Sequence, residues 1–181
     1  PLSGAVGGAP GEADNRFAAS HHDPATMTHE DLLQAIQSLN AEDAFRPRLD
    51  PSQWRTFLQY LTRHEIRGGE LLVKQGEMDR TLYFLGQGTL QVYTTGGPPG
   101  SNKIAILRAG AMCGEPGLFA DGERTANVEA MTPCVIWAMR LPRFEELCAR
   151  APVIALEVLR AAGTVMALRM RANLTRQMPI T

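Results

Sequence analysis

The sequence predicts a mainly β protein: a double-stranded β-helix (jelly-roll) barrel with N-terminal helices, closed by a long C-terminal helix. Three observations carry that expectation. About eight short β runs, closely spaced and punctuated by glycine, fill the middle of the chain. Helical apolar periods precede and follow them. The chain has 181 residues, 44% hydrophobic and 20% charged, which suits one globular domain with some irregular chain. The expected organisation is a disordered tail or linker over 1–26, a β-roll with its N-terminal helices over 27–150, and a long lid or dimerisation helix over 151–181.

Residues 1–26 are rich in Gly, Ala, Pro and Ser and hold almost no large apolar side chains, so they cannot offset the entropy of ordering. His21 and His22 stand there with no further ligand types around them. Thr28 and Asp31 form a capping box ahead of Leu32, Leu33, Ile36 and Leu39, a helical face that ends at Asn40. Asp50 caps a second helix, with Pro51 in the first turn and Gln53 at the third position. Its buried stripe is Trp54, Phe57, Leu58 and Leu61.

From His64 the period shortens. The runs include 64–67, 70–75, 81–85, 89–94, 103–108, 126–131 and 134–140, with Gly86-Gln87-Gly88 as a tight hairpin and 96–100 as a flexible loop. The segment 112–124 breaks the strand pattern. A short helix over 142–150 follows, then Pro152 opens a long one to about Gln177. That helix carries two apolar rows: Ile154, Val158, Ala161, Val165, Leu168 and Ala172, and Leu156, Leu159, Gly163, Met166 and Met170. Two rows need two covers. One is the barrel, and the other is expected to be a second copy of the helix, with Gly163 allowing close approach.

Composition excludes several classes. Eighteen basic and nineteen acidic residues leave a net charge of −1, too balanced for bulk polyanion binding. No apolar run reaches the roughly 18–20 residues of a membrane helix. Cys113, Cys134 and Cys148 lack C-x-x-C spacing, which argues against disulfides and zinc and for a reducing, cytoplasmic setting. The sequence shows no Ser/His/Asp arrangement, P-loop or H-E-x-x-H, and His29 and His64 are isolated, so no catalytic residue and no metal ligand is assigned. The chain begins at Pro1 without a charged-then-apolar leader and is expected to be a fragment or a processed form.

The segment from Gly114 to Ala126 holds the chemistry. Pro116 suits a helix first turn, after which the amides of Gly117 and Leu118 would be free donors for an anion. Arg124 offers a fixed charge with paired donors, and Thr125 adds a hydroxyl. Glu115, acceptor-only when ionised, suits a sugar hydroxyl. Phosphate at one end and sugar at the other describe a nucleotide. The residues alone leave a second reading open, in which Glu115 and Arg124 simply pair.

Gly114-Glu115-Pro116-Gly117-Leu118 and Arg124-Thr125-Ala126 resemble the phosphate-binding cassette of the cyclic nucleotide-binding domain family, as found in bacterial cAMP receptor protein-type regulators. Gly69-Glu70, Gly76-Glu77, Leu82-Tyr83-Phe84-Leu85 and Gly88 match that family upstream. The resemblance implies that Glu115 accepts from the ribose 2′-hydroxyl and that Arg124 pairs with the cyclic phosphate. Gly117, Leu118 and Thr125 complete the cradle, and Gly114 belongs to the same turn. The long helix would cover the base, carry a homodimer contact and shift on binding, signalling occupancy without catalysis. Pro116 and Glu123 depart from the pattern. The base-contacting positions fall on Arg169 and Met170 rather than a Thr-Ser pair. Arg169 either stacks on or donates to a purine or is a solvated helix charge, and the commonness of exposed Arg favours the second. Thr125 leaves cAMP and cGMP both open as ligand, with no cofactor. These departures also leave open a degenerate domain used for docking or dimerisation without ligand. No reading helix for DNA follows the long helix in this sequence, so no nucleic-acid contact is expected within it.

Overall fold

The computed structural model describes residues 23–97 and 103–177. Within them, eight strands form two four-stranded antiparallel sheets flanked by five α-helices. The expected tail shortens at its end. Residues 24–26 form a 3-10 turn whose cap Asp23 accepts from the Ala25 amide, and Met27 beyond it is buried. Residues 1–22, with His21 and His22, and residues 98–102 of the expected loop lie outside the described residues.

Helix α1 (His29–Ser38) and helix α2 (Pro51–Leu58) begin at reciprocal capping boxes, Thr28 with Asp31 and Asp50 with Gln53. Each box satisfies two N-terminal amides and sets the start of its helix. The strands are β1 (Thr62–Ile66), β2 (Leu71–Val73), β3 (Leu82–Gln87), β4 (Thr89–Tyr93), β5 (Lys103–Arg108), β6 (Met112–Cys113), β7 (Asn127–Ala130) and β8 (Cys134–Met139). The first sheet runs β1-β8-β3-β6 and the second β2-β7-β4-β5. Helix α3 (Pro116–Phe119) lies between β6 and β7, and helices α4 (Leu141–Arg150) and α5 (Pro152–Gln177) follow β8.

The expected hairpin at Gly86-Gln87-Gly88 is corrected. β3 and β4 lie in different sheets, so the turn is a corner between sheets. The pairing of β3 with β8 slips between Leu85 and Gln87, and Gly88 has φ +96° with Pro133 O 2.5 Å from where a Cβ would stand. Strand β6, inside the interrupting segment, was not expected. Two residues carry no period.

The first sheet is covered on both faces, which is why β8 reads as an unbroken apolar run. Cys134 and Ile136 face the interior of the roll with Leu85, Leu90, Leu107 and Val128. Val135, Trp137 and Met139 face a second core with Phe84, Phe45, Phe57 and α5 residues Ile154, Val158 and Val165. Phe45, Phe57 and Phe84 meet at centroid distances of 5.1–6.2 Å, edge-on or tilted. Helix α1 sits close over the turn at Gly110, where a Cβ would fall 2.1 Å from Ala35 O.

Helix α5 divides along its two rows only in part: Ala172 of the first is exposed, and Leu159 of the second packs against the core. Ile154, Val158, Ala161 and Val165 are buried, whereas Leu156 and Met170 are 64% and 60% exposed. Gly163 faces Phe119 of α3, whose ring would stand in ordinary contact with a Cβ, 3.6 Å away.

Candidate functional site

The cassette hangs from β6, at the edge of the first sheet beside β3. Gly114 turns the chain at φ +83°, a conformation other residues rarely adopt. A Cβ there would stand 2.5 Å from Thr81 O and 3.0 Å from Arg124 Nη1. Gly117 serves the same packing, with Arg80 Cα 3.0 Å and Arg124 Nη1 3.4 Å from a would-be Cβ. Both glycines make room for one guanidinium.

Arg124 is buried, with 8% of its side chain exposed. Its Nη2 donates to Asp79 Oδ2 at 2.9 Å and to Thr81 O at 2.6 Å, and its Nη1 to Gly114 O at 3.1 Å. Its Nε–H is buried without a hydrogen-bond partner. A buried donor left unpaired is costly, and His29 Nε2, Arg63 Nε and Trp137 Nε1 share that condition. Asp79 fixes the arrangement. It also accepts from the Thr81 amide (3.0 Å), the Thr81 hydroxyl (2.7 Å) and Tyr83 Oη (3.1 Å).

Burial works to raise the Asp79 carboxyl, but hydrogen bonds from Thr81 and Arg124 outweigh it and hold the pKa below the ordinary value. The Tyr83 hydroxyl is pushed up to about 12 by burial and by the Asp79 charge. A carboxyl depressed in the folded state adds stability above its unfolded pKa. That stability is lost as pH falls through the folded pKa. Asp79→Asn is therefore expected to lower stability near neutrality and to flatten its decline below about pH 4. Urea unfolding of both proteins across that range checks this. Parallel curves would refute it.

Glu115 does not pair with Arg124. Its carboxylate, 7% exposed, accepts at both oxygens from Arg169 Nη1 at 3.1 Å. Arg169 also donates through Nε to Asp43 Oδ2 at 2.7 Å and through Nη2 to Met112 O at 2.9 Å. One guanidinium thus ties α5, the cassette and the segment between α1 and α2. Burial disfavours its charge, yet Glu115 and Asp43 more than compensate and raise its pKa. The expectation of a solvated helix charge at Arg169 is corrected: the carboxylates draw it inward. Its donors are directed at protein acceptors and not at a base.

The expectation of free amides is corrected as well. The Gly117 amide donates to Gly114 O at 3.1 Å and the Leu118 amide to Glu115 O at 3.0 Å, because the chain tightens into the first turn of α3. Thr125 is exposed beside Arg124. Sequence reasoning missed Asp79 and Arg80. Arg80 donates to Gly117 O at 2.7 Å and to Asp121 Oδ1 at 2.8 Å, bracing α3 from outside. The only available signal was that both stand between Gly76-Glu77 and β3, with nothing in spacing to link them to a cassette some forty residues on.

Cys113 is buried, and burial with the nearby Glu115 charge pushes its thiol up to about 12, so it stays protonated. No group of three or more His, Cys, Asp or Glu among the described residues could hold a metal ion. No helix among them is long and apolar enough to cross a membrane.

The edge of the first sheet thus presents a glycine turn, a carboxylate and a buried arginine together. Residues 63–151 match the cyclic nucleotide-binding domain, and that part of the chain belongs to this family. The cAMP-activated global transcriptional regulator CRP of Escherichia coli is 28% identical over 138 residues, covering 75% of this chain and 59% of that protein. The chain therefore spans about three-fifths of that relative's length. The human potassium/sodium hyperpolarization-activated cyclic nucleotide-gated channel 4 is 29% identical over 105 residues, 58% of this chain and 8% of the channel. Among solved structures, a cyclic nucleotide-binding domain from Methylobacillus flagellatus superposes with TM-score 0.71 at 20% identity, covering 84% of each chain. The catabolite activator protein of Thermus thermophilus gives 0.61 at 26% identity, covering 71% of this chain and 59% of its own. The fold is the jelly-roll of these regulators.

Proposed function

We propose that this chain is a non-catalytic, cytoplasmic regulatory domain that binds a cyclic mononucleotide, cAMP or cGMP. The unpartnered, buried Nε–H of Arg124 carries the reading. It is a charged donor already oriented by Asp79, beside the exposed Thr125, and a cyclic phosphate supplies the missing acceptor. Glu115, held at both oxygens by Arg169, accepts the ribose 2′-hydroxyl. Arg169 is then a positioning residue, acting through Glu115. Gly114 and Gly117 hold the turn open for Arg124, and Leu118 anchors α3 in the core.

Occupancy is read out through α5. Arg169 ties that helix to the carboxylate that meets the ligand, and Phe119 of the cassette rests on Gly163 of the same helix. Any change of α5 requires that the ligand bind two states with different affinity. The exposed Leu156 and Met170, at the two ends of the second row, are offered to a second copy of the chain.

A second reading, a degenerate docking module, is favoured by one observation: the Gly117 and Leu118 amides and the Glu115 carboxylate are already satisfied within the chain. Calorimetric titration with cAMP, cGMP and 2′-deoxy-cAMP separates the two. The sensor binds cAMP or cGMP saturably, and a cAMP-binding sensor loses about tenfold or more on removal of the 2′-hydroxyl. No binding of either nucleotide to folded, nucleotide-free protein would favour the docking module. Unchanged affinity for the deoxy compound would remove Glu115 from the site.

A further inference from the structure

We propose that the seam between the segment 46–48 and helix α5 is a second anion site, built for a phosphate group and separate from the cassette. Here Arg46, Arg48, Glu157, Arg160, Ala161 and Thr164 line an open surface groove, with all three arginines exposed. Three arginines against one glutamate leave two positive charges in excess, on a chain whose net charge is −1. Such a local concentration is a field that favours an anion.

The groove is organised around Glu157. Its Oε2 accepts from the Arg48 amide at 3.0 Å, and Arg160 Nη2 donates to Oε1 and Oε2 at 2.9 and 3.0 Å. These bonds, the Arg48 amide foremost, depress the carboxyl, so it stays ionised and engaged at both oxygens. Glu157 thereby aims Arg160 and pins the backbone of Arg48. Arg46 reaches back to Leu39 O at 2.7 Å through Nη2. The guanidinium of Arg48 makes no hydrogen bond among the described residues, although its charge acts on Glu157, so its planar fork of donors can turn to a ligand.

The groove is open to solvent and admits a phosphate group. Arginine forks match phosphate oxygens in pairs. The phosphate can be free or the terminal group of a small metabolite. A bound dianion would clamp segment 46–48 onto α5, along the same seam where Asp43 holds Arg169. Binding at this site is independent of the cassette reading.

The test uses the whole chain and reads thermal unfolding and calorimetry. The probes are inorganic phosphate and pyrophosphate, each against sodium chloride at equal ionic strength. We expect saturable binding that raises the midpoint and that Arg48→Gln and Arg160→Gln each weaken about tenfold. Binding should persist in Arg124→Ala, which places it away from the cassette. Tighter pyrophosphate than phosphate would assign a metabolite-borne group, and equal affinity a free phosphate. A shift that chloride reproduces, or one equally strong in Arg48→Gln/Arg160→Gln, would overturn the proposal. So would binding lost only in Arg124→Ala, or a response to a DNA duplex with none to either small anion.

Discussion

Replacing Arg169 by Met is expected to destabilise the chain by about 3 kcal/mol or more, because removing one partner of a buried ion pair strands the other charge. Glu115 would keep its burial and lose the donor shared by its two oxygens, Asp43 would lose its partner, and Met112 O would lose a hydrogen bond. Position in α5 adds to the effect. Val165 is the last fully buried residue of that helix, and beyond Arg169 every described side chain is exposed. Arg169 is therefore the final anchor of the C-terminal turns. Urea unfolding measures the loss, and adding Glu115→Gln to Arg169→Met is expected to recover part of it by removing the stranded charge. A cost under about 1 kcal/mol for the single variant would match an exposed pair and contradict the buried network.

Gly114→Ala is the second large effect. The new methyl would lie 2.5 Å from a backbone oxygen and 3.0 Å from the guanidinium of Arg124, in a left-handed conformation at φ +83°. Backbone strain alone costs about 1–3 kcal/mol, and the clash with Thr81 O cannot be relieved by turning a flexible side chain. The account expects both a lower unfolding midpoint and a nucleotide affinity reduced more than stability alone dictates, since Arg124 must shift. Gly122→Ala is the control, because nothing stands within 4 Å of a would-be Cβ there. Equal behaviour of the two variants would refute the role assigned to Gly114.

The fold was legible where local chemistry decides it. Thr28-x-x-Asp31 and Asp50-Pro51-x-Gln53 name their helix starts because the capping partners are three residues apart. The run 134–139 was legible as a strand through its apolar composition. The sheet change at Gly88 was not, since a hairpin and a corner share the same glycine signature. Within the site, Gly114, Glu115 and Arg124 were legible as a motif. Their partners were not: Asp79 stands 45 positions from Arg124, and Arg169 stands 54 from Glu115. Such pairs depend on how the roll closes, which no local spacing encodes. Gly163 shows the same limit. A small residue on a helix face signals close packing but does not say whether a second helix or Phe119 fills the space.

The most direct test is calorimetric titration of the parent chain and of Arg124→Ala, with circular dichroism confirming that both are folded. The account predicts saturable binding of cAMP or cGMP by the parent, weakened about a hundredfold or more in the variant through lost charge-assisted hydrogen bonds. Equal affinity in the two proteins would contradict a cyclic phosphate held on Arg124.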